Sequence, residues 1–168
     1  YKISYQSDGR TSVNVDLAQL SDLQLAELCL EKNDWFVKHS RRLLQERAMQ
    51  RKIELPAIER LVDIATTHVD DTRRLRAMWA RHAIGVFDTT LFTQLLNDSS
   101  PHVRGWALRL RSEQQNDVLN PKQLDELAKM AAADASPVVH RAIASVVDRL
   151  PAELRWATVA ALVLRATD

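Results

Sequence analysis

Three stretches of this chain are built on one plan, and that repetition restricts the fold more than any figure of composition. Asn33-Asp34-Trp35-Phe36-Val37-Lys38, Asp98-Ser99-Ser100-Pro101-His102-Val103-Arg104 and Asp134-Ala135-Ser136-Pro137-Val138-Val139-His140 share an order of residue types. Each sets an Asp, a short gap, a β-branched residue and a basic or imidazole residue at the head of a small-apolar helix. Asp70-Asp71-Thr72-Arg73-Arg74 follows the plan more loosely. The aligned positions Lys38, Arg74, Arg104 and His140 lie 36, 30 and 36 residues apart. Ala77, Ala107 and Ala142 or Ile143 fall a little further on, where close helix packing needs little bulk. A period of about 30–40 residues holding two helices marks an α-solenoid, in which each unit buries its apolar face only against its neighbours.

Helix start signals agree with that period. Ser21 and Gln24 form a capping box, with Leu20 placed to staple onto Leu25, and the spacing predicts a helix to about Leu30. A second helix follows from Trp35 to about Arg47, with Phe36, Ser40, Leu43, Leu44 and Arg47 on one face. Pro56 opens a helix with Leu61, Val62, Ile64 and Ala65 inward, and Asp70-Asp71 restarts one carrying Leu75, Met78, Trp79 and His82. Asp88 caps a short helix bearing Leu91, Leu95 and Leu96. Pro101, Pro121 and Pro137 sit where a helix's first turn tolerates proline, and Pro151 opens a last helix with Leu154, Ala157, Ala160 and Ala161 inward. Trp79, Trp106 and Trp156 fall on apolar faces and are expected in the core; Trp35, at a helix start, is expected at the surface.

Composition supports helices throughout. The 168 residues include only 3 Gly and 5 Pro, few for a fold rich in turns. At the start, Tyr1-Lys2-Ile3-Ser4-Tyr5 alternates as a half-buried strand does, and Asp8-Gly9 reads as a turn. A lone strand has nothing here to pair with. Residues 1–16 therefore read as a strand remnant and linker from an upstream domain, and 17–168 as the solenoid. With a first residue other than Met and a last helix lacking its partner, the chain reads as a piece of something longer.

The chemistry-bearing residues are sparse. Cys29 stands alone, which excludes an internal disulfide and any Cys-rich zinc site, and its apolar helix suits a buried thiol. No two of His39, His68, His82, His102 and His140 lie within one helical turn, whereas zinc sites usually show a local ligand pair. The Asp70-Asp71 and Asp125-Glu126 pairs sit at helix starts, where negative charge suits the helix dipole. No catalytic residue, metal site or cofactor is assigned. No apolar run approaches the roughly 20 residues of a membrane helix, so no membrane insertion is expected.

Charge is the one feature with a functional reading. The net charge is +1, yet residues 38–81 hold eleven Lys and Arg against six Asp and Glu. Trp35, Lys38 and Arg42 fall on one face of a second helix, with Arg74 and Arg81, then Arg104 and Arg111, on comparable faces of the next two. These seven residues are either a groove for acidic protein or a phosphate backbone, or the arginine half of Asp–Arg bonds that order the stack.

The Asp…Val-Arg-x-x-Ala plan resembles HEAT repeats over roughly residues 17–168. The implied architecture is an all-α, HEAT-like solenoid of four to five helical hairpins in a right-handed superhelix, behind a short extended segment. A narrower resemblance rests on Tyr1–Tyr5, Asp16-Leu17 with Leu20-Ser21-Asp22, Asn33-Asp34-Trp35-Phe36, Arg41-Arg42-Leu43-Leu44-Gln45-Glu46-Arg47 and Leu75-Arg76-Ala77-Met78-Trp79-Ala80. These stretches resemble large bacterial membrane-bound-dehydrogenase-like proteins, in which a sugar-dehydrogenase-like β-propeller is followed by HEAT repeats and a c-type cytochrome domain. That resemblance implies a non-catalytic spacer, partnered by flanking domains of the same polypeptide or by another protein, in an extracytoplasmic compartment. No Cys-x-x-Cys-His occurs, so no haem residue carries over. The alternative is a HEAT-like nucleic-acid-binding or DNA glycosylase-type domain using the basic face; the near-neutral total charge weighs against it.

Overall fold

The computed structural model describes residues 16–113 and 121–166. The strand expected at Tyr1–Tyr5 and its linker up to residue 15 lie outside the described residues. After a 3₁₀ turn at Leu17–Gln19 come α1 (Asp22–Glu27), a second 3₁₀ turn at Leu28–Leu30, α2 (Asp34–Gln50), α3 (Leu55–Thr67), α4 (Asp71–Ala83) and α5 (Thr89–Leu96). Then follow α6 (Pro101–Ser112), α7 (Pro121–Ala133), α8 (Pro137–Val147) and α9 (Ala152–Ala166). No strand occurs among the described residues.

The caps explain where the helices begin. Ser21 Oγ accepts from the Gln24 amide at 3.2 Å while Gln24 Oε1 accepts from the Ser21 amide at 2.9 Å, the reciprocal box expected from the sequence. Asn33, Asp70, Asp88 and Ser136 cap α2, α4, α5 and α8 with their side chains. At the far end of α4, Gly85 takes φ 75°, and its amide and that of Val86 bond to His82 O and Arg81 O. This pair of bonds closes the helix with a left-handed residue, a conformation that costs glycine little.

The helices pack as consecutive hairpins: α1 with α2, α3 with α4, α5 with α6, and α7 with α8. The second helices form an unbroken row, each of α2, α4, α6 and α8 packing on the next. The first helices do not. α1 packs on α3 and α7 on α9, but α5, only eight residues long, packs chiefly on α6. One apolar seam runs from Leu17 to Leu150 through every hairpin, with Leu25, Leu44, Leu61, Ile64, Met78, Leu95, Val103, Val139 and Ile143 among its fully buried members. The result is a helical-repeat α-solenoid.

Two helix faces differ from expectation. In α4 the inward side chains are Arg74, Ala77, Met78 and Arg81, while Leu75, Trp79 and His82 lie half-buried on its flank. In α9 Thr158 is buried and Leu162 half-buried, whereas Leu154, Ala157 and Ala160 are exposed. Trp156, expected in the core, is 70% exposed. In α4 the periodicity misleads because three guanidiniums, those of Arg74, Arg76 and Arg81, are buried, held by partners in α3 and in the neighbouring hairpins.

A buried carboxylate fixes the first junction. Asp22, with no exposed surface, heads α1 and accepts from Arg47 Nη1 at 2.8 Å, from both Nη atoms of Arg51 at 2.8 Å, and from the Glu54 amide at 3.1 Å. It thereby joins the start of α1 to the end of α2 and the start of α3. Burial alone pushes its pKa up, but the Arg51 and Arg47 guanidiniums and the Glu54 N–H outweigh burial and hold it down at about 2. Because the folded value lies below the ordinary one, the stabilisation is complete above the unfolded pKa near 3.8 and is lost as pH falls through about 2. Asp22→Asn is expected to lower the unfolding free energy by about 2 kcal/mol at pH 7. Urea unfolding between pH 5 and pH 2 should also show a shallower acid loss for the variant; an unchanged midpoint at pH 7 refutes the role assigned to Asp22.

Candidate functional site

The seven residues of the expected basic face separate into two groups. Trp35, Lys38 and Arg42 are exposed along α2. Arg74, Arg81 and Arg111 are buried, and the Arg104 side chain keeps 16% exposure. They do not form a single open groove.

The reason lies in the position of each arginine along its helix. Arg74 and Arg104 stand four residues after the N-caps Asp70 and Ser100, where the side chain enters the cleft to the next hairpin. Arg74 donates to Asp98 Oδ1 at 3.0 Å, makes a second contact with Asp98 Oδ2, and reaches Ala65 O at 2.9 Å. Arg104 donates to both oxygens of Asp134, at 2.8 and 2.9 Å, and to Asp98 O at 2.7 Å. Each aspartate also accepts the backbone N–H two residues on, from Ser100 at 2.8 Å and Ser136 at 2.9 Å. Burial pushes the Asp134 pKa up, but Arg104 and the Ser136 N–H prevail and lower it.

Lys38 falls outside this register. Counted from the N-cap Asn33, the matching position is Val37, which is buried. At this junction the tie runs the other way: Arg76 of α4 pairs with Asp34 and donates to Glu31 O at 2.7 Å, and Arg73 donates to Leu30 O at 3.0 Å. Arg81 closes the opposite edge, bonding Val86 O and Asp88 Oδ2, the latter at 2.8 Å, while Asp88 Oδ1 caps α5. The Arg111 guanidinium lies 5.7 Å from the Phe92 ring centroid.

What faces outward from the row of second helices is a different set. Arg41 of α2 lies over Trp79 of α4 at 5.8 Å, Trp79 meets Trp106 of α6 edge-on at 5.0 Å, and Arg109 lies over Trp106 at 5.4 Å. Both indoles are half-buried, their inner edges on the core. Beside Trp106, a cavity of about 70 Å³ between α6 and α8 is lined by His102, Gly105, Arg109, Val138, Arg141 and Ala142. Trp35 stacks on His39 at 4.0 Å. Among the described residues, Lys38, Arg41, Arg109 and Arg141 have no carboxylate within 4.0 Å, whereas Arg42 pairs with Glu46.

Sequence reasoning missed Arg41, Arg109 and Arg141 because the candidate face was drawn through Lys38 and Arg42, Arg74 and Arg81, and Arg104 and Arg111, and these three cations lie beside that stripe. The tryptophans on apolar faces were the available signal: an indole at the edge of a core offers its outer surface to a cation.

No group of three His, Cys, Asp or Glu that could hold a metal occurs among the described residues. Burial pushes the Cys29 thiol up to about 12, beyond what Arg41 and Arg76 offset, so this thiol stays protonated at neutral pH. No described helix is long and apolar enough to cross a membrane. No protein-family model, curated protein or solved structure matches the chain.

The two groups of cations should respond differently to loss of charge. Arg104→Gln leaves the largely buried Asp134 unpaired and is expected to cost about 2–3 kcal/mol. Lys38→Gln and Arg141→Gln, on the surface, should stay within about 0.5 kcal/mol of the parent. Urea melts of the three variants decide this; equal losses for all three contradict the division.

Proposed function

We propose that this segment is a non-catalytic, HEAT-like scaffold whose second-helix face binds an acidic stretch of a protein partner. The supporting observation is the pairing of a locked interior with an unneutralised exterior. The inter-hairpin arginines are consumed by aspartates, so Arg41, Arg109 and Arg141 are surplus to the stacking. They flank half-exposed indoles, and aromatic residues with arginine are what protein interfaces concentrate at their centres.

Following the resemblance, the scaffold spaces the domains of a larger dehydrogenase-like haem protein. The exposure of Trp156, Val163 and Leu164 on α9 supports this second element, since a spacer packs such side chains against a neighbour. Sequencing the gene on both sides of this segment tests it: a propeller-like region upstream and a Cys-x-x-Cys-His downstream are expected, and their absence removes the spacer role.

The binding role has its own test. Tryptophan fluorescence should respond saturably to poly-glutamate, with affinity falling as salt rises. A duplex DNA titrated under the same conditions should give no salt-dependent binding. The reverse outcome replaces this reading with the nucleic-acid one.

A further inference from the structure

We infer that the second-helix face reads an extended acidic segment at a fixed spacing, with single carboxylates held by Arg41 on α2, by Arg109 on α6 and by Arg141 on α8. This rests on the scaffold reading above and adds to it the residues, the register and the length of the partner segment.

Pre-organisation is the first argument. Arg41 and Arg109 lie over Trp79 and Trp106, at 5.8 and 5.4 Å. A guanidinium held on an indole has already lost much of its rotamer freedom, so a carboxylate that binds it incurs less ordering cost. Its remaining N–H groups can donate in a bidentate pair. Arg141 is exposed beside Arg109 across the cavity at Trp106. That small cavity is lined by both guanidiniums together with His102, so a carboxyl group entering it meets donors from α6 and α8 at once.

The pattern of charge favours side-chain carboxylates over a phosphate backbone. A nucleic-acid strand presents charge at every nucleotide and is matched by a continuous basic track. Here the track is interrupted. On α4, Arg74, Arg76 and Arg81 are committed inward to Asp98, Asp34 and Asp88, and the helix presents Trp79 between the cations of its neighbours.

Spacing follows from the row of helices. Packed helices lie about 8–10 Å apart, and an extended chain advances about 3.3 Å per residue, so each step along the row spans about three residues. From α2 to α6 is two steps and from α6 to α8 one. The matching segment therefore carries acidic residues at positions 1, 7 and 10, or at 1, 4 and 10 if it runs in the opposite direction.

Two capped decapeptides with Asp at those positions and uncharged residues elsewhere test this by calorimetry on the full chain. One of them should bind at least tenfold tighter than an uncharged decapeptide. Replacing the Asp that faces α8 with Asn should weaken binding to the parent chain about tenfold, yet leave binding to Arg141→Gln unchanged; Arg109→Gln provides the same cycle at the neighbouring Asp. Both arginines lie outside the Asp–Arg ladder, and circular dichroism checks that the variants fold. If poly-glutamate binds while neither decapeptide exceeds the uncharged one, the register is wrong and the scaffold reading stands. If poly-glutamate also fails to bind, both fall. Duplex binding that depends on Arg109 and Arg141 likewise overturns the inference.

Discussion

Each hairpin of a solenoid touches only its neighbours, so the whole molecule depends on what happens at a few interfaces. Here the determining interaction is the guanidinium–carboxylate pair that crosses from one hairpin to the next. Apolar packing supplies most of the free energy, but it is tolerant of rotation and slip. A bidentate pair is not, because it fixes two atoms against two others in one plane. Arg104 with Asp134 and Arg74 with Asp98 set the angle at which successive second helices meet. Their aspartates also shape the turn that starts the following helix, so the same atoms define the local loop and the long-range contact.

This double service explains why the repeat plan is visible in the sequence at all. At Asp98 and Asp134 an Asp, two intervening residues and a helix start recur because one carboxylate must shape the turn while facing the arginine of the preceding unit. The short gap is the loop's geometry, and the small residues that follow, such as Gly105 opposite Ala142, bring the helices close enough for the pair to close.

Most of the fold could be read from such local marks. The Ser21–Gln24 capping box, the Asp88 cap of α5 and the proline starts of α6, α7 and α8 stand where the sequence places them. The faces were harder. Polar residues are scored as outward when periodicity is read, yet Arg74 and Arg81 point inward because their partners are contributed by residues 98 and 88. Asp22 shows the same limit, since Arg47 and Arg51 lie 25 and 29 residues away. The surface cations were hidden for a related reason: whether a guanidinium is surplus becomes visible only once every carboxylate has been allotted.

The unequal rows of helices have a mechanical consequence. The second helices form a continuous, ion-paired spine, while on the other side α5 leaves the first helices without an equivalent column. A bar bonded along one edge and gapped along the other has a soft direction and a stiff one. Relative motion on the α5 side is resisted chiefly by apolar packing, since Phe92 and Leu95 are fully buried there, whereas motion on the spine side must also pull carboxylates from guanidiniums. Such a body resists bending unequally about its two edges, and the bidentate pairs hold the intervals along its spine constant.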